Sequence, residues 1–297
     1  MKVLNFFLVF SLAVVSHSIG NVKRELTAIE KYDISKLRYV AFGTSVTYGS
    51  CVDRDTEAYI KVASNGKGTN LGIRTSDPSF PSICTQSMLG DDIYDVIVIE
   101  YDRAYQMGLN PLVKRLRERF MDATIIVINS WTFLNVNVID DNKEEVSLRK
   151  FLGLNGFGKN TAEAKEFING CNASFSFDKE KMEKKDAYMN ELVRDYNVKL
   201  VNWKWSLGNI KPLLARYLQY FGDDIVHWSP SGHRFVAIRV NKIVEQEKKN
   251  VSNNVRSWGE GDVCDKWLGE GTMKKNAVTN GEMVKFDGRY GGKVHAQ

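Results

Sequence analysis

The chain has 297 residues, 43% hydrophobic and 26% charged, and Lys+Arg 41 against Asp+Glu 36 gives a formal charge of +5. That length can bury a full core, and that composition excludes a disordered chain and a multi-span membrane protein. The basic excess is small and scattered. Its tightest cluster, Lys114 to Arg119, reads as the polar face of a helix, so no nucleic-acid partner is implied.

Taken from its start, the chain opens with Lys2, an apolar run from Val3 to Val15, and the small residues around Ser16-His17-Ser18. This pattern predicts a cleaved secretory signal peptide over residues 1–18 and hence a secreted, extracellular protein. The run falls short of the roughly 20 apolar residues a transmembrane helix needs, so no stable membrane span is expected; an uncleaved N-terminal anchor is the alternative. In an oxidising compartment Cys51, Cys84, Cys171 and Cys264 are candidates for two disulfides, with all three pairings open. No Cys-x-x-Cys pair occurs, which argues against a zinc site. Asn172-Ala-Ser and Asn250-Val-Ser are glycosylation sequons that carry meaning only for a secreted chain.

Residues 21–36 form a polar lead-in, and a first strand is predicted from Leu37 to Phe42. The stretch from Thr56 to Thr69, rich in small and polar residues, reads as a loop before a second strand at Asn70 to Ile73. Pro81 to Leu89 has helical spacing and stops at Gly90. Asp95-Val-Ile-Val-Ile99 is an uninterrupted β-branched run, the clearest buried strand in the chain. An amphipathic helix follows at Pro111 to Phe120, then a strand at Thr124 to Asn129. The glycine-containing stretch from Thr132 to Ser176 reads as an irregular excursion shaping one side of a site. Lys179 to Tyr196 is a charged amphipathic helix, Val198 to Asn202 a short strand, and Lys211 to Tyr220 is helical. Ser229 is a capping hydroxyl followed by Pro230 at the first position of a helix running towards Lys248.

Strands apolar throughout, alternating with amphipathic helices, predict an α/β fold with a parallel sheet covered on both faces. From residue 250 the composition shifts to glycine, with Trp258 and Trp267 and no helical period. We therefore divide the mature chain into a main domain over residues 37–249 and a C-terminal appendage over residues 250–297.

The chemistry centres on Ser45, which stands just past the carboxyl end of the first strand, where open α/β sheets bind ligands. A serine there is an ordinary turn residue unless a general base reaches it. Of four histidines, His17 lies in the leader and His295 at the terminus, leaving His227 and His233. Asp224 precedes His227 by three residues, near enough on a loop to accept the ring's second N–H and fix its tautomer. The plainer reading makes His227 a loop residue and Asp224 a cap. Trp131 and Trp228 could stack on a sugar ring, although buried core aromatics are the commoner case.

Gly43-Thr44-Ser45-Val-Thr-Tyr-Gly49 and Asp224-Ile-Val-His227 together resemble the two end blocks of the SGNH (GDSL-type) hydrolase family. The resemblance spans Leu37 to Lys248. It implies a three-layer α/β/α sandwich with a mostly parallel, flavodoxin-like sheet, and hydrolysis of esters, often acyl groups on carbohydrate or lipid. It assigns Ser45 as nucleophile, His227 as base and Asp224 as its orienting partner, with no metal or organic cofactor. The implied partner is a small-molecule or glycan ester. Two departures stand out: Thr44 occupies the family's aspartate position, and Asp102, beside Arg103, occupies the place of the oxyanion-hole asparagine. Gly72 is the candidate for the hole's glycine. The expectation is a secreted serine esterase; the alternative is a catalytically inactive protein of the same fold that binds glycans or acts at the cell surface.

Overall fold

The central strands of the main sheet are buried on both sides. Its strands are β1 (Tyr39–Gly43), β2 (Thr69–Gly72), β3 (Val96–Glu100) and β4 (Thr124–Ser130). After three strands of a separate small sheet, β5 (Val136–Ile139), β6 (Glu145–Ser147) and β7 (Ser174–Phe177), comes the fifth, β8 (Lys199–Trp203). The order across the main sheet is β2-β1-β3-β4-β8, with every neighbouring pair parallel. The computed structural model describes residues 33–101, 105–130, 136–139, 143, 145–147, 174–177, 179–203, 218–222, 226–247, 255–258, 284–285 and 295–296. The chain divides into two units, residues 1–34 and 35–297, and all that follows concerns the second.

Among the described residues six α-helices accompany the strands: α1 (Ser45–Tyr48), α2 (Tyr59–Ala63), α3 (Ser79–Leu89), α4 (Leu109–Arg119), α5 (Lys179–Tyr196) and α6 (Pro230–Glu247). Alternation along the strands decides which helices each side chain meets. Val40, Ile97 and Ile125 are register partners, as are Phe42, Ile99 and Val127. These six join the core cluster formed with Phe80, Leu112, Leu116, Phe120 and Leu192 of α3 to α5 and their ends. The interleaved Ala41, Val98 and Ile126 therefore face the opposite side, where α6 packs on α2 and against β4 and β8. This is the three-layer α/β/α architecture expected from the sequence. Each large apolar side chain buried in it contributes about 1.5–3 kcal/mol.

At the amino edge of the sheet, Arg38 clamps β1 to β3. Its Nε and Nη2 donate to the two carboxylate oxygens of Asp95 at 2.8 Å each, and its backbone N–H donates to Asp95 Oδ2 at 2.9 Å. The Asp95 side chain is only 2% exposed, and the carboxylate holds the Arg38 guanidinium pKa above its ordinary value.

Several expectations need correction. The stretch read as a loop from Thr56 to Thr69 contains α2, whose Tyr59, Ile60 and Ala63 are buried. Five residues are too few to display a 3.6-residue period, so nothing in the pattern marked this helix. The excursion expected to be irregular contributes the antiparallel sheet β6-β5-β7. Only Leu218–Tyr220 of the helix expected at Lys211 to Tyr220 is described, and it is a single 3-10 turn.

Beyond residue 250, Val255 and Trp258 pack against the main core. Trp258 donates its indole N–H to the Gly90 carbonyl at 3.0 Å and meets Phe120 edge-on. The Arg119 guanidinium lies over its ring, 5.0 Å from the centre. Further on, β9 (Val284–Lys285) pairs antiparallel with β10 (His295–Ala296). Cys84 is disulfide-bonded. No helix among the described residues is long and apolar enough to cross a membrane.

Candidate active site

The chain leaves β1 to build β2 on one side, then crosses to β3 on the other. The carboxyl ends of β1 and β3 thus flank the point where the strand order reverses, which is where open α/β sheets form a crevice. Ser45 is the first residue of α1, directly after β1, and Glu100 is the last residue of β3. Gly43 and Glu100 are register partners, so the two segments sit side by side at that crevice.

The turn holding Ser45 is tightly seated. A Cβ on Gly43 would overlap the Thr47 hydroxyl and stand 2.6 Å from Thr47 Cβ, so only glycine lets α1 fold back over the strand end. Thr44 caps the helix, its Oγ1 accepting from the Val46 N–H at 3.3 Å. The αL residue Gly49 closes the helix, its N–H reaching Val46 O at 3.1 Å. Beneath the turn lies the Glu100 carboxylate, 1% exposed as a residue. Its Oε2 accepts from the Thr44 N–H (3.1 Å), Thr44 Oγ1 (2.9 Å), the Thr47 N–H (3.3 Å) and Thr47 Oγ1 (3.0 Å).

His227 comes from the loop before α6. The Gly222 N–H donates to the His227 carbonyl at 2.7 Å and the Ser229 N–H to the Tyr220 carbonyl at 3.0 Å, so residues 220–222 and 227–229 brace one another as a bridge. As the sequence predicts, Ser229 is a cap, accepting from the Gly232 N–H at 3.3 Å. Trp228 is 1% exposed and packs against Tyr59, Trp203 and His233, which leaves no face for a sugar.

These two segments bring His227 Nε2 to 2.8 Å from Ser45 Oγ across a sequence separation of 182 residues. Both side chains are half-buried. With Nε2 as acceptor, the serine hydroxyl donates to the imidazole and the ring's other nitrogen carries its proton. That is the arrangement in which a base removes the hydroxyl proton as oxygen attacks an electrophile. The Ser45 backbone N–H has no acceptor among the described residues.

Gly72 lies at the carboxyl end of β2, in register with Gly43 and against the Thr47–Tyr48 backbone of α1. Its N–H is already engaged, donating to Asn70 Oδ1 at 3.0 Å, while Asn70 Nδ2 donates to the Thr47 carbonyl at 2.9 Å. Asp224, Asp102, Arg103, Trp131, Asn172 and Asn250 lie outside the described residues.

Sequence reasoning named His233 without giving it a role, and gave none to Glu100 or Thr75. Glu100 was hidden at the end of an apolar run; a carboxylate closing a β-branched strand was the available signal. Thr75, two residues beyond the end of the β2 pairing at Ile73, holds φ at 56°, unusual for a β-branched residue. His233 is fully buried, its Nδ1 accepting from the Tyr59 N–H at 3.2 Å. Burial, and then the nearby His227, push its pKa down from 6.5 to about 3, so it stays neutral. At the rim, the guanidinium groups of Arg54 and Arg74 lie 4.6 and 4.5 Å from the centre of the Tyr48 ring.

No protein-family model matches the chain, and no curated protein matches it by sequence. Solved structures do. A two-domain esterase active on acetylated mannans is 15% identical with a TM-score of 0.44, the match covering 76% of this chain and 53% of that one. The chain thus spans about half the length of that esterase. An alpha/beta hydrolase from the metagenome of Lake Arreo, Spain, is 13% identical with a TM-score of 0.42, over 74% of this chain and 99% of that one. An acetyl xylan esterase from Geobacillus stearothermophilus, solved as a variant, is 12% identical with a TM-score of 0.38, over 74% and 98%. Likeness at this level is one of general outline and does not speak to activity.

Proposed function

We propose that this protein is a serine hydrolase acting on esters, with Ser45 as nucleophile and His227 as general base. The observation that carries this is the 2.8 Å contact between His227 Nε2 and Ser45 Oγ at the carboxyl edge of a parallel sheet. Ser45 Oγ bonds to the ester carbonyl carbon while His227 takes its proton. Collapse of the tetrahedral intermediate breaks the bond to the alcohol oxygen, and His227 returns the proton to the leaving alcohol. A water molecule then repeats the sequence on the acyl-enzyme, releasing the acid and restoring Ser45. Asp224 takes the second imidazole N–H in this reading. The resemblance of the Ser45 and His227 blocks to the SGNH hydrolases points the same way and favours a small-molecule or glycan ester.

The Ser45 N–H serves the developing oxyanion. Gly72 joins it only if Asn70 turns away, since Asn70 Oδ1 holds the Gly72 N–H at rest. Each missing oxyanion donor lowers turnover by about 10²–10³, so the enzyme is expected to be slow unless the site rearranges on substrate. The same hydrogen bond is the observation favouring the alternative, a glycan-binding protein with this fold and no turnover.

A fluorophosphonate probe separates the two. Purified protein is treated with the probe and digested, and the Ser45 peptide is analysed by mass spectrometry with Ser45→Ala as control. Covalent labelling of Ser45 is the expected result; its absence in folded protein removes the hydrolase reading. The apolar leader at Val3 to Val15 and the sequons at Asn172 and Asn250 make secretion part of the same proposal. Expression in a eukaryotic secretory host should yield glycosylated protein in the medium.

A further inference from the structure

Glu100 is a buried acid that the proposed chemistry does not use, yet it touches both residues that bracket the nucleophile. Four donors converge on Oε2: the backbone N–H and the hydroxyl of Thr44, and the backbone N–H and the hydroxyl of Thr47. Four donors make Oε2 an acceptor, and an ionised carboxylate is the strongest acceptor a side chain offers. Thr47 has one hydroxyl proton and gives it to Glu100. The Tyr59 hydroxyl, 3.2 Å from Thr47 Oγ1, is then the donor in that contact. Tyr59 in turn donates its backbone N–H to His233 Nδ1 at 3.2 Å, and the His233 backbone N–H donates to the Ser229 carbonyl at 3.0 Å. Ser229 is two residues from His227. A buried chain of contacts therefore runs from the seat of the nucleophile to the loop carrying the base.

Resting on the reading of Ser45 as nucleophile, we propose that Glu100 is the positioning residue that fixes the Ser45 turn against His227. Its carboxylate draws in the N–H groups of Thr44 and Thr47 on either side of Ser45, which leaves Ser45 Oγ against His227 Nε2 and the Ser45 N–H without an acceptor among the described residues. The same job cannot fall to Thr44 alone, whose hydroxyl is itself oriented by Glu100. Glu100 makes no contact with substrate; its effect is carried by the placement of Ser45. Small displacements of a reacting atom cost large rate factors, about 10²-fold for 1 Å.

The test compares wild type, Glu100→Gln, Thr44→Val, Thr44→Ser and Glu100→Gln/Thr44→Val for labelling of Ser45 by a fluorophosphonate and for hydrolysis of 4-nitrophenyl acetate. Rates are expressed per mole of folded protein from circular dichroism melts. Glu100→Gln keeps the shape but loses the charge, and is expected to lower kcat and the labelling rate about 10–100-fold with KM changed less than about threefold. Thr44→Val should lose about three- to tenfold, Thr44→Ser should restore the wild-type rate, and the Thr44→Val loss should shrink in the Glu100→Gln background. Wild-type kcat in folded Glu100→Gln, or full additivity of the two losses, overturns the proposal. If Glu100→Gln does not fold, Thr44→Val and Thr44→Ser decide: equal rates in both overturn it. If wild type itself fails to label, the hydrolase reading falls. Positioning is then read from the His227 imidazole resonances by NMR, which should move in Thr44→Val and stay put in Thr44→Ser; no movement in Thr44→Val overturns it.

Discussion

Gly43 and Thr47 occupy one another's space. A Cβ at position 43 would overlap the Thr47 hydroxyl and lie 2.7 Å from the Glu100 carbonyl oxygen, so the end of β1 and the body of α1 meet without a side chain between them. Thr47 Cβ and the Glu100 carbonyl oxygen cannot yield as the tip of a flexible side chain can. Gly43→Ala is predicted to cost about 1–3 kcal/mol of stability and to displace Thr47 from Glu100. Urea unfolding measures the first effect and Ser45 labelling the second. An alanine variant with wild-type stability and labelling would contradict this account of the turn.

Arg38 holds a second joint, at the opposite edge of the sheet. Breaking a buried pair by removing one partner costs about 3–5 kcal/mol, because the remaining charge is left uncompensated. Asp95 is buried, but the Arg38 side chain is 35% exposed, and water partly replaces what is lost. For Arg38→Met we therefore expect a smaller loss, about 1–3 kcal/mol. Asp95→Asn should cost less than Arg38→Met, since it leaves no buried charge behind. Denaturant melts of the two variants give the order directly.

His233 links stability to acidity. Its folded pKa of about 3 lies below the 6.5 of an exposed imidazole, mainly through burial. Between these values the unfolded chain binds a proton that the folded chain refuses, so stability falls as pH falls. This contribution is fully present above about pH 6.5 and declines by up to about 1.4 kcal/mol per pH unit towards pH 3. Unfolding free energies at pH 7.5, 6 and 5 should show the decline, and the His233 ring protons should not titrate over the same interval in the folded protein. Titration of His233 near pH 6.5 would refute the assignment.

Thr75 offers the reverse case, a substitution that should stabilise. A β-branched residue at φ 56° carries strain of about 1–3 kcal/mol, which glycine avoids at an entropic cost of about 0.5–1 kcal/mol. Thr75→Gly should gain roughly 0.5–2 kcal/mol and raise Tm by about 2–4 °C per kcal/mol. A calorimetric scan decides, and a lower Tm would show that the threonine hydroxyl, which donates to the Arg74 carbonyl at 2.7 Å, matters more than the strain.

What was legible in the sequence follows from periodicity and from residue chemistry. The buried strands at Val96–Glu100 and Thr124–Ser130 declare themselves through unbroken β-branched runs, and from them the parallel sheet follows. Ser45 and His227 were found because hydroxyl and imidazole are scarce in positions that can meet at a strand end. The five-residue helix at Tyr59–Ala63 is too short for its period to register. The side-chain bond from the Gly72 N–H to Asn70 is a matter of rotamer and register that composition cannot convey. The role of Glu100 cannot be seen in the sequence, because it depends on Gly43 standing opposite it in the sheet.

The sequence separation of 182 residues between Ser45 and His227 also has a consequence in time. The seat of the nucleophile, from β1 through Tyr59 to Glu100, is made entirely from the first third of the chain, whereas the base arrives with the segment before α6. At 5–20 residues per second of synthesis, roughly 10–40 s separate the emergence of the two side chains. On refolding, recovery of Ser45 labelling should therefore lag behind recovery of the β1–β3 pairing, because closing so long a loop is among the last contacts a chain of this topology can make.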